Sequence, residues 1–106
     1  MLFLVKAESK GMLPFGPKES MELVAKECET FVSYAQQGKV LAGGTYAARH
    51  GGCGIFDVDS LEELHMLIAQ LPMFPFAEFE VVPLISAEQA LEGIRMALDA
   101  LEETNQ

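Results

Sequence analysis

The sequence has no tryptophan and only two tyrosines, two histidines and two cysteines in 106 residues. Neither His50 nor His65 stands in a metal-ligand cluster, so no metal site is expected. Cys28 and Cys53 allow one bridge at most and read as buried free thiols. Bases are also scarce: seven against sixteen acids give a net charge of −9. The shortage is concentrated in residues 51–106, where Arg95 alone faces eleven acids, while residues 1–50 carry six bases against five acids. A polyanion would be repelled by the second half, which excludes nucleic acid as a partner and disfavours an anionic membrane surface. A small acidic ligand is compatible only where local bases outweigh that field. No apolar run reaches the eighteen or so residues of a membrane span; Met1-Leu2-Phe3-Leu4-Val5 is broken by Lys6. No basic stretch precedes that run and no small-residue cleavage site follows it. A signal peptide is not expected, and the cytoplasm is the expected location. Phosphate-loop and nucleophilic-serine motifs are missing too: Gly52-Cys53-Gly54 lacks the lysine and the spacing.

Half of the residues are apolar and 22% are charged, a globular composition with the length of one domain. Residues 1–9 alternate loosely and predict a strand. Gly11, Pro14, Gly16 and Pro17 mark a loop, and a helix follows from about Pro17 to the stop at Gly38. Met21, Val24, Cys28, Phe31 and Ala35, widened by Ala25 and Val32, form its apolar stripe, the face expected to be buried. Two strands, about 39–47 and 53–58, flank Arg49-His50-Gly51-Gly52, whose glycines suit a tight hairpin. Ser60-Leu61-Glu62-Glu63 and Ser86-Ala87-Glu88-Gln89 are capping boxes that predict two further helices, with a strand at 77–85 between them. Pro72 stops the first of these helices, and Pro83 places its strand at a sheet edge or bulge.

The order β-α-β-β-α-β plus a C-terminal helix predicts an α+β, ferredoxin-like domain. It has a four-stranded antiparallel sheet, with a core over residues 1–85 and a helical extension over 86–106. The first, third and fourth strands have apolar residues on both faces, and two helices cover only one. The second face would be a large exposed apolar patch in a monomer, so it is expected to pack on a second copy's sheet as a dimeric α+β barrel. The last helix, apolar at Ala90, Leu91, Ile94, Leu98 and Leu101 and acidic opposite, is expected to clasp a neighbour or shield a sheet edge.

Three titratable residues lie on otherwise apolar elements. Lys6 ends the Leu2/Leu4 side of the first strand and could meet an anionic ligand; the plainer reading is a lysine that reaches solvent at the strand end. Glu27 sits roughly 100° from the centre of the first helix's stripe and shares a flank with Leu23 and Tyr34. A carboxylate against apolar surface has a raised pKa, which suits a general base; otherwise it is an ordinary boundary glutamate. His65, at the edge of the second helix's stripe, could move a proton or simply pack its ring. Leu71-Pro72-Met73-Phe74-Pro75-Phe76 concentrates aromatic surface, either the wall of a pocket for a small ring compound, with Phe74 and Phe76 contacting it, or part of the core.

Met1-Leu2-Phe3 with Val5-Lys6, Ile55-Phe56-Asp57-Val58, and above all Glu63-Leu64-His65 followed by Gln70-Leu71-Pro72-Met73-Phe74-Pro75-Phe76 and Glu80-Val81 resemble the muconolactone delta-isomerase family. The similarity runs over residues 1–84. It implies a ferredoxin-like fold, barrel dimers assembled into a ring such as a decamer, no cofactor, and a small-molecule substrate. The implied reaction is a proton shift within an unsaturated lactone bearing a carboxymethyl group, in the 3-oxoadipate pathway of aromatic catabolism. Glu27, Lys6 and His65 stand where the family has matching residues. Their chemistry suggests Glu27 as the base, Lys6 as partner of the substrate carboxylate, His65 as a second acid or base, and Tyr34 with the two phenylalanines as binding surface. The chain departs from the family at Val40-Leu41-Ala42-Gly43-Gly44-Thr45, where the isomerases carry Trp, Arg and His, at Leu4, which replaces a histidine, and in its last helix. The alternative is a barrel protein without this activity that binds a small hydrophobic or aromatic ligand, or that serves as an assembly unit.

Overall fold

The computed structural model describes residues 1–104, so Asn105 and Gln106 of the expected extension lie outside the described residues. The elements are β1 (Leu2–Ser9), α1 (Pro17–Gln36), β2 (Val40–Thr45), β3 (Gly51–Asp57), α2 (Leu61–Ala69), a short 3₁₀ turn (Phe74–Phe76), β4 (Ala77–Leu84) and α3 (Ala87–Thr104). The strands form one antiparallel sheet in the order β2-β3-β1-β4. This is the predicted ferredoxin-like arrangement, and Pro83 lies on an edge strand, where its missing N–H disturbs no inner ladder. No helix among the described residues is long and apolar enough to cross a membrane.

Local chemistry sets the helix ends. The Ser60 hydroxyl accepts from the Glu63 N–H at 3.1 Å to start α2. At α3 the box is reciprocal: the Ser86 hydroxyl accepts from Gln89 N–H at 3.1 Å, and Gln89 Oε1 accepts from Ser86 N–H at 3.2 Å. Gly38, at φ +77°, turns the chain out of α1 in the left-handed region that a side chain disfavours. The hairpin departs from expectation. Its turn spans residues 46–50, with Ala48 at φ +61°, and Gly51 and Gly52 open β3 instead of forming the turn. Arg49 closes this corner, paired with Glu8 and set 4.8 Å over the Tyr46 ring.

The core lies between the sheet and the first two helices. Phe3, Val5, Tyr34, Val40, Phe56, Val58, Leu64, Ile68 and Leu71 form one buried cluster. Phe56 is 1% exposed, and the rings of Phe31 and Tyr34 both meet it edge-on, each with centroids 6.3 Å away. Phe31 occupies a notch made by Gly54, where a methyl group would stand 2.7 Å from its ring. The Tyr34 hydroxyl donates to the Leu67 carbonyl at 2.7 Å and ties α1 to α2.

These contacts set the rotation of α1, and it differs from the expected one. The inward line is Leu23, Glu27, Phe31 and Tyr34. Met21, Val24, Ala25, Cys28, Val32 and Ala35 are all exposed, so Cys28 is an exposed thiol, not a buried one. Aromatic burial and the tyrosine hydrogen bond outweigh the longer aliphatic stripe. The sheet's other face carries Leu2, Leu4, Cys53, Ile55, Val82 and Leu84, half-buried and without a helix over it. The last helix shields no edge: every described residue of α3 is exposed, and the molecule extends 70 Å by 27 Å by 23 Å.

Gly54→Ala is expected to lower unfolding free energy by about 1–3 kcal/mol through overpacking against Phe31. Adding Phe31→Leu should recover part of the loss in denaturant titrations.

Candidate active site

Glu27 projects from the inward face of α1 toward the start of the aromatic segment. Its carboxylate accepts the Met73 N–H at 2.8 Å. Burial raises its pKa above the ordinary carboxylate value, and the Met73 hydrogen bond offsets only part of that rise. A half-buried carboxylate with one backbone donor is more basic than a solvated one, yet keeps a free oxygen. Beside it, Phe74 stacks on Phe79 with centroids 5.8 Å apart and 28° between planes. Phe76 meets Phe15 edge-on at 5.5 Å, which fastens the 10–16 loop to the segment, as does the Lys10 N–H donated to the Phe76 carbonyl at 2.9 Å. Phe74 keeps 38% of its surface exposed and so presents an aromatic face to solvent.

The other residues singled out from sequence are not gathered around this carboxylate. Tyr34 is 5% exposed with its hydroxyl bonded to Leu67, and burial together with the Glu27 charge raises its pKa. Lys6 is exposed on the open face of the sheet, across the strands from Cys53 and Glu80. His65 lines an open groove of about 610 Å³ between α2 and β4, with Leu61, Glu62, Leu64, Met66, Ile68 and Val81. Glu27 does not line that groove. Among the described residues, no group of three His, Cys, Asp or Glu side chains is placed to hold a metal ion.

Two partners were not foreseen. Met73 contributes a backbone N–H, which carries no side-chain signal. Phe15 stands in a Pro-Phe-Gly loop that reads only as a turn, although an aromatic residue between two breakers was a visible oddity.

The muconolactone delta-isomerase family model matches residues 1–90. The muconolactone delta-isomerase of Rhodococcus opacus is 31% identical over 83 residues, 78% of this chain and 89% of that protein. The Pseudomonas aeruginosa protein of the same name is 30% identical over 81 residues, 76% of this chain and 84% of its own. A crystal structure of muconolactone isomerase superposes with a TM-score of 0.73 at 32% identity, covering 81% of this chain and 90% of that one. The chain belongs to the muconolactone delta-isomerase family. A 5-chloro-2-hydroxyhydroquinone dehydrochlorinase from Burkholderia phenoliruptrix, TM-score 0.64 at 18% identity, shares the fold. The family match ends at residue 90 and so leaves most of α3 outside it.

The Glu27 carboxylate gives stability a definite pH dependence. Its pKa is higher folded than unfolded, so the folded state binds its proton more tightly. Its unfavourable contribution at neutral pH is therefore relieved as pH falls through the folded pKa. Glu27→Gln, which keeps an oxygen for the Met73 N–H, is expected to melt higher than the parent at pH 7. That advantage should vanish at pH below the unfolded carboxylate value, as followed by circular dichroism.

Proposed function

We propose that the protein catalyses the family's reaction, the isomerisation of a small carboxylated unsaturated lactone in aromatic-compound catabolism, in the cytoplasm. The observation that carries this reading is Glu27, a half-buried carboxylate of raised pKa facing an aromatic segment in a chain of this family. In a 1,3-proton shift the base takes a proton from a ring carbon, and the C–H electrons enter a dienolate. The same base returns the proton two carbons along, so substrate and product have the same composition. Glu27 is assigned that role. Phe74 and Phe76 supply the wall against which the lactone lies.

The substrate carboxylate needs a cation. Strand β2, with Val40-Leu41-Ala42-Gly43-Gly44-Thr45, offers none. Lys6 is assigned to that carboxylate and His65 to a second proton-transfer step. Lys6 stands on the open sheet face, so its role belongs with the pairing of two copies through that face. That pairing covers Leu2, Leu4, Ile55, Val82 and Leu84 and forms the unit from which a ring is built. Tyr34 supports the site by fixing α1, and so the place of Glu27.

An absorbance assay with muconolactone, run beside solvent-deuterium exchange into the substrate, tests the assignment. Glu27→Gln is expected to lower turnover by about 10²–10⁴-fold and to abolish exchange, since an amide keeps the shape but accepts no proton. Exchange that persists in this variant would transfer the role to His65. No isomerisation or exchange by the parent would leave the chain a ligand-binding or assembly protein. Lys6→Ala should raise KM more than it lowers kcat, because a carboxylate partner acts in ground and transition states alike.

Pairing through the sheet has its own test. Leu4→Asp places a charge in that interface and is expected to convert a dimer to a monomer of 11.6 kDa in sedimentation. A parent that is itself monomeric at micromolar concentration would refute the pairing.

A further inference from the structure

Phe15 is an aromatic residue that the core does not use. It meets Phe76 edge-on, with centroids 5.5 Å apart and 82° between planes. Yet it belongs neither to the buried cluster nor to the residues packed on that cluster, and it keeps 43% of its surface exposed. Its place is close to the base. The Phe76 N–H is donated to the Met73 carbonyl at 2.8 Å, and the Met73 N–H is donated to the Glu27 carboxylate at 2.8 Å. Phe15 therefore packs on the same short turn that Glu27 grips.

The loop that carries Phe15 is free in its middle and fixed at its ends. The Lys10 N–H is donated to the Phe76 carbonyl at 2.9 Å, and the Gly16 carbonyl accepts the Ser20 N–H at 3.0 Å. Among the described residues, no backbone N–H from Gly11 to Phe15 is donated to a partner. Met12 is 100% exposed. Gly11, at φ +117°, holds a bend that a side chain disfavours, and open space surrounds the Cβ positions of both Gly11 and Gly16. A segment with anchored ends, no ladder bonds of its own and a glycine at each bend can open and close as a unit.

We propose that the 10–16 loop is a lid and that Phe15 is its substrate-contacting side chain, closing on the lactone ring over Phe74 and Phe76 and keeping water from Glu27. This rests on the isomerase reading. The chemistry gives such a lid its task. Between abstraction and return, the proton sits on Glu27 as a carboxylic acid. Water that reaches the acid exchanges it: the O–H gives its proton to solvent and takes another in its place. Phe74, 38% exposed in the turn that Phe15 packs on, marks a side of the site open to solvent. A ring closing there excludes water while the dienolate exists. It also sets specificity, because a flat unsaturated ring fits between aromatic faces better than a puckered saturated one.

Turnover of muconolactone in heavy water, with deuterium per product molecule read by mass spectrometry at early times, tests the lid. The parent should return mostly the proton it removed, and so take up well under one deuterium per turnover. Phe15→Ala should raise that uptake severalfold and raise KM severalfold, with circular dichroism unchanged because Phe15 lies outside the core. Phe15→Tyr, which keeps the ring, should stay near the parent. A ring that only fastened the loop to Phe76 would leave deuterium per turnover unmoved. Binding is read separately. The chain has no tryptophan, so the emission of Phe15→Trp reports on this position alone. Muconolactone should move that emission to shorter wavelength and protect it from acrylamide quenching. Three results would overturn the proposal: Phe15→Ala with the parent's deuterium uptake; a parent that already takes one deuterium per turnover; or an emission of Phe15→Trp unmoved by millimolar muconolactone. A parent without isomerase activity, whose Phe15→Trp variant still responds to the lactone, would keep the lid and remove the isomerase reading instead.

Discussion

The rotation of α1 about its own axis decides what the rest of the molecule presents. It is set by two aromatic residues three positions apart. Phe31 fills the notch that Gly54 leaves in β3, and Tyr34 packs on Phe56 while donating its hydroxyl to Leu67. Together they carry both a shape requirement and a hydrogen-bond requirement, and a helix turned by a third of a revolution satisfies neither. The unbonded tyrosine hydroxyl alone would bring a desolvation penalty of about 1–3 kcal/mol. Once these residues are seated, Glu27 follows from helical geometry: it lies one turn before Phe31 and two before Tyr34, on the inward line, where it is half-buried.

That inward line explains why the fold was legible in the sequence and the site only partly so. Turn residues, capping boxes and prolines punctuate the chain locally, and their chemistry acts within a few residues. The order of elements, the four-stranded sheet and the edge position of Pro83 could therefore be read directly. The facing of α1 could not. Periodicity weighs Met21, Val24, Cys28 and Val32 as buried because they are apolar. Burial instead went to a line containing a glutamate and a tyrosine, which counts as mixed on any hydropathy scale. Glu27 was recognisable from its flank with Leu23 and Tyr34. The backbone N–H of Met73 that holds it lies 46 residues away and has no side-chain signature.

The same rotation that turns Glu27 in turns six small or apolar side chains out. In a monomer such an arc is a liability, since exposed apolar surface favours non-specific association. The sheet's open face is a second such surface and α3 a third. Three unpartnered apolar surfaces on a chain of this size are better explained by assembly than by three separate ligands, and their placement is orderly. The open face is common to both ends of the sheet and suits a self-complementary pair.

Assembly also bears on the separation of Glu27 and Lys6. Within one chain Glu27 lies on the helix-covered side of the sheet and Lys6 on its open side, so a site that used both would need more than a single copy. Strand β2, Val40–Thr45, offers no side-chain cation, so a site that pairs Glu27 with a cation must draw it from another element or from another copy.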